Sequence, residues 1–215
     1  MMDQSFGELR SQLHGSLETR KKREALLVLL LEHYEQAPDM FMSRWHPYIS
    51  GLRIEWPEPF ATVTSLEQVE HAGMLIPGAR FRLSLGHLNE ADFKPETLSR
   101  DERLRHVCGL VFDGLMLTPL GLSTILKSHH LGPLIELDLG HTRIGTLRPV
   151  LDSPKTHALK VLDLQGNAGG DLLLSEFPTH FPALEVLDLG SCYIEKEYAK
   201  QQLDGLKNLK HLYMD

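Results

Sequence analysis

The chain has only two cysteines, Cys108 and Cys192, far apart in 215 residues, which supports neither a disulfide framework nor a paired-cysteine metal knuckle. A reducing, cytoplasmic setting fits that usage. Positive charge is also scarce: 22 Lys+Arg against 29 Asp+Glu give a net charge of -7. A basic footprint for nucleic acid or an anionic membrane is therefore missing. The longest apolar run, Ala25 to Leu31, is far short of the roughly 20 residues a spanning helix needs. It follows Arg20-Lys21-Lys22-Arg23 and imitates a signal-peptide core, but a long stretch of mixed charge precedes it and no small-residue cleavage site follows. Nucleophile-elbow, Walker, dinucleotide and H-E-x-x-H motifs are all lacking, so the expectation is a non-enzymatic protein with no cofactor. With 42% hydrophobic and 24% charged residues, the chain is nevertheless an ordinary globular one that can bury a core.

What the sequence has is a repeat. Leu134-x-x-Leu137-x-Leu139, Leu159-x-x-Leu162-x-Leu164, Leu184-x-x-Leu187-x-Leu189 and Leu209-x-x-Leu212-x-Met214 follow one another at a stride of 25 residues. Thr142, Asn167 and Cys192 stand three places beyond the last apolar residue of the first three units. Degenerate units precede them at Val107-x-x-Leu110-x-Phe112 and Leu83-x-Leu85-x-x-Leu88, and a weaker one at Ile49-x-x-Leu52-x-Ile54, which makes seven expected strands. Residues two apart on a strand share a face, so the last two leucines of each unit point one way and the residues between them point the other. A single unit cannot cover its own leucines; stacked units can.

This pattern, L-x-x-L-x-L-x-x-N/C-x-L, resembles the leucine-rich repeat family, and the unit length is similar to its long, ribonuclease-inhibitor-like class. The resemblance covers residues 49–215 and implies an α/β solenoid with parallel strands on a concave face and short helices on a convex one. Segments 120–126, 147–151, 172–177 and 198–206 carry apolar residues at three-to-four spacing and fit those helices, with Pro149, Pro154, Pro178 and Pro182 keeping some of them short. Ser65-x-x-Gln68 opens a further helix over 66–75, the back of the first unit. Residues 1–48 fall outside the repeat. Phe6, Leu9, Leu13 and Leu17 suggest one helix, and 19–34 a second with apolar residues buried nearly all round, together forming an N-terminal helical cap. The basic run at 20–23 reads as a solvated helix surface.

The resemblance implies that the concave strand face binds a protein partner. On that face the sequence places Glu136, Asp138, Asp163, Gln165, Asp188, His211 and Tyr213, with Asp138, Asp163 and Asp188 in one row suited to a basic surface. The competing reading is that L-x-L-D-L is a filler in such repeats. Twelve histidines, including His129, His130, His141, His157 and His180, invite a metal site, but on the repeat they diverge and no ligand spacing occurs. Cys192 fills the Asn slot as a buried turn residue, not a nucleophile. The sequence ends at Asp215 just after Leu212 and Met214, so the last unit is expected to be truncated, leaving an uncapped edge. An alternative function follows from it: a structural adaptor that docks through the N-terminal helices or self-associates through that edge.

Overall fold

A computed structural model describes residues 19–39, 41–43, 56–167 and 172–215. The leucine spacing sets the strands. β4 (Glu136–Asp138), β5 (Val161–Asp163), β6 (Val186–Asp188) and β7 (His211–Tyr213) each centre on the second leucine of a unit, which turns inward while its two neighbours turn outward. Upstream lie β1 (Thr62–Val63), β2 (Phe81–Ser84) and β3 (Val107–Val111). All seven make one parallel sheet in chain order. Its register keeps the repeat stride, with Leu137, Leu162, Leu187 and Leu212 paired strand to strand. Among the described residues the fold is α/β with a single all-parallel sheet. The expected strand at 49–54 lies outside the described residues; the first described strand is β1.

Parallel neighbours need crossovers, and here they are short helices. These are α2 (Leu66–Leu75), α3 (Pro95–Ser99), α4 (Pro119–Leu126), α5 (Arg148–Leu151), α6 (Phe177–His180) and α7 (Lys196–Leu203). Their lengths are uneven because proline enters α3 to α6 at the first turn, where its missing N–H costs nothing, and recurs soon after at Pro154 and Pro182. The Ser65 hydroxyl caps α2 by accepting from the Gln68 N–H at 3.1 Å, while Gln68 Oε1 accepts from the Thr64 N–H at 2.8 Å. Neither α3 nor the 3₁₀ turn Glu102–His106 follows the leucine pattern, and both were outside the sequence reading.

Leu134, Leu137 and Leu139, with their counterparts in the next two units, are all buried to within 2%. Leu209, Leu212 and Met214 are only half-buried. Each turn out of a strand is stitched by its slot residue. Asn167 Nδ2 donates to the carbonyls of Leu139 (2.6 Å) and Leu164 (3.0 Å), and its Oδ1 accepts from the Ile144 N–H (3.2 Å). The Thr142 hydroxyl donates to Leu139 O at 2.7 Å and the Cys192 thiol to Leu164 O at 3.0 Å, so each makes part of the same set of bonds.

α1 (Arg20–Gln36), capped by Thr19, packs against α2 and bonds the edge at β1. Two expectations fail here. Its apolar residues form a stripe, with Leu26, Leu27 and Leu30 buried and Val28 54% exposed, rather than being buried all round. Its basic run is not simply solvated: Lys21 and Lys22 are exposed, but Arg23 is buried and its Nε donates to Phe60 O at 2.6 Å. Glu24 Oε1 accepts from the Thr62 N–H at 3.3 Å. These contacts satisfy backbone groups on the outer side of β1, which an open sheet edge would leave available to another chain.

The inward leucines are expected to carry the stability. In urea unfolding, Leu162→Ala should cost about 2–5 kcal/mol, the range for an emptied core leucine. Leu212→Ala, at the equivalent but half-buried position, should cost clearly less.

Candidate functional site: the outward face of the sheet

The outward residues of β4 to β7 form two rows. Glu136, Val161, Val186 and His211 make the first; Asp138, Asp163, Asp188 and Tyr213 make the second. Adjacent strands are about 4.8 Å apart, so the three aspartates form the expected ladder, ended by an aromatic ring.

Each aspartate also holds its own turn. Asp138, Asp163 and Asp188 accept from the N–H two residues on, at Gly140 (3.0 Å), Gln165 (2.9 Å) and Gly190 (2.8 Å). The row therefore has a structural task. Charge crowds it: a Cβ on Gly140 would stand 3.1 Å from Asp113 Oδ1, 3.3 Å from Asp138 Oδ1 and 3.7 Å from Asp163 Oδ1, so glycine leaves the carboxylates their room. Burial, and then the neighbouring Asp138, Asp188 and Asp113, raise the Asp163 carboxyl to about 6 against the pull of the Gln165 N–H. Asp138 is also raised, chiefly by burial, despite the Gly140 N–H and Arg82.

The first half of the face is occupied by the chain itself. Glu136 is 9% exposed and forms an ion pair with Arg20 at the start of α1. Arg82, on β2, crosses β3 to reach the same carboxylate: its Nε is 3.0 Å from Glu136 Oε2, and its Nη2 donates to Asp138 Oδ2 at 3.3 Å. The Nε contact is a charge contact without hydrogen-bond alignment. Arg82 can cross because β3 carries Gly109 there; a Cβ would lie 3.1 Å from Arg82 Cγ. The expectation that Glu136 is open to a partner is thus corrected, since two guanidinium groups from distant segments cover it. Val111, also placed on the open side by the repeat, is buried.

The second half is different. Asp163, Gln165 and Asp188 are half-buried, His211 and Tyr213 exposed, and the last two rings stack at 6.3 Å and 17°. Among the described residues no ion pair reaches Asp163 or Asp188. Val161 and Val186 lie beside them, half-buried. This patch has two adjacent carboxylates, an amide, apolar ground and an aromatic pair, chemistry that suits a cationic group.

The two cysteines are packed residues. Burial pushes the Cys108 thiol up to about 12 and also raises Cys192, the opposite of an activated nucleophile. His129 and His130 meet ring to ring at 3.8 Å, while His141 and His157 are exposed at separate turns. Among the described residues no cluster of three His, Cys, Asp or Glu is placed to hold a metal, and no helix is long and apolar enough to cross a membrane. The Arg20 and Arg82 clasp escaped the sequence reading. Its one legible sign was Gly109, a residue without a side chain at an outward strand position between Arg82 and Glu136. No protein-family model matches this chain, and no curated protein matches it.

Folding disfavours ionised Asp163, so its contribution to stability is full below pH 3.8 and is lost as pH rises through about 6. An asparagine would keep an oxygen for the Gln165 N–H without the charge. Asp163→Asn is therefore expected to melt above the parent protein near pH 8, with the gap closing below about pH 4.

Proposed function

We propose that this chain is a leucine-rich-repeat-like solenoid, a protein–protein interaction module that works in the cytoplasm and binds on its concave strand face without catalysis. The partner surface is basic. The observation that supports this most is the pair Asp163 and Asp188, held side by side on an outward face beside Tyr213 and without an ion pair among the described residues. Asparagine would serve the Asp163 turn without the cost of a buried charge, so keeping a carboxylate there trades stability for something else, as binding surfaces do. The contact surface is the half over β5 to β7: Asp163, Gln165, Asp188, His211 and Tyr213. Asp138 is shared with Arg82, and Glu136 belongs to the clasp.

Because these aspartates hold turns, the double variant Asp163→Asn/Asp188→Asn tests binding more cleanly than charge reversal. In capture from the native cell, it should lose its partner by about tenfold or more, the loss expected when close charge pairs are broken, while unfolding no more easily than the parent. Equal capture by both proteins would reject this face as the site.

A further inference from the structure

Glu136 is a buried carboxylate whose cations come from two remote parts of the chain. They differ in how firmly they are held. Arg82 lies along the sheet over Gly109 and also bonds Asp138. Arg20 arrives from outside the sheet, at the first residue of α1, with its side chain 37% exposed. α1 does not depend on it: Arg23 to Phe60 O and Glu24 to the Thr62 N–H tie the helix to the edge at β1, its body packs against α2, and Leu26, Leu27 and Leu30 are buried. The first turn of α1 contains no acidic residue and begins with four cations at the positive end of its dipole, so the Glu136 carboxylate, together with Glu24 one residue further on, offsets the charge of that turn.

We propose that Glu136, framed by Arg82 and Asp138, is an arginine-docking point on the concave face whose resident ligand is Arg20, and that a partner arginine takes the place of Arg20 there while α1 stays docked. This rests on the reading that the face binds a protein. Exchange replaces one guanidinium by another, so the buried carboxylate never stands uncompensated, which is what makes the swap feasible at a site where losing a partner is costly. A planar fork suits this acceptor pair better than an ammonium does. The recognised partner would therefore span two kinds of subsite: the open Asp163 and Asp188 pair, and a latched one at Glu136 that rewards arginine over lysine.

The test uses the full chain, labelled for carboxyl and amide NMR, with N-acetyl-arginine amide and N-acetyl-lysine amide as probes. Arg20→Gln should bind the arginine probe at least fivefold more tightly than the parent, with shifts centred on Glu136 and Asp138, and should prefer it to the lysine probe. Arg20→Gln/Glu136→Gln should lose that gain. Melting of Arg20→Gln within a few degrees of the parent checks that α1 remains in place, and Arg20→Lys, which keeps the charge, should show a smaller gain. Unchanged arginine affinity in Arg20→Gln, or a gain that survives Glu136→Gln, overturns the proposal. If the probe instead shifts only Asp163 and Asp188, the docking point fails while the concave-face reading stands; if it shifts only residues on the helical side, both fail.

Discussion

A leucine in the middle of a three-residue strand leaves water only when the next strand sets its own leucine beside it. That condition controls this molecule. β4, β5 and β6 are too short to form a core singly, yet Leu137, Leu162 and Leu187 are fully buried because the register repeats every 25 residues. Each such side chain contributes about 1.5–3 kcal/mol relative to exposure. The turn residues follow from the same stride. Asn167 can bond Leu139 O and Leu164 O together only if those carbonyls lie one strand apart at the same height.

The outward face inherits the register without being stabilised by it. Stacking that aligns leucines on one side must align whatever stands between them on the other, and here that is aspartate. The result is a row of carboxylates in which burial, and then like charge, disfavours ionised Asp163 in the fold, tempered by one backbone N–H for each carboxylate. The chain resolves the crowding differently along its length. Over β2 to β4 its own arginines pair with Glu136 and Asp138, whereas over β5 to β7 Asp163 and Asp188 stand beside Tyr213 with no ion pair among the described residues. One half of the face is closed by the chain and the other is offered outward.

How far the sequence foretold this depends on whether a feature repeats. Strands β4 to β7, their leucines, the Asn slot and α2 were readable because each is a local pattern with a local cause. The clasp was not, since Arg20, Arg82 and Glu136 belong to three segments whose meeting depends on tertiary placement of α1 and on the gap left by Gly109. Likewise, counting apolar residues in α1 overstated its burial: Val28 and Leu30 are both strongly hydrophobic, but only Leu30 turns into the core. β1 was not foreseen for a related reason, because Thr62–Val63 is two residues long and carries no leucine triplet.

The most direct measurement is amide hydrogen exchange at Leu139 and Leu164, whose N–H groups donate across to Asp163 O and Asp188 O at 2.9 Å. Stacked strands with buried leucines require both amides to exchange only through global unfolding, with the same free energy that denaturant melting gives. Exchange of either amide at the rate of an exposed turn would contradict the stacking on which the open carboxylate face depends.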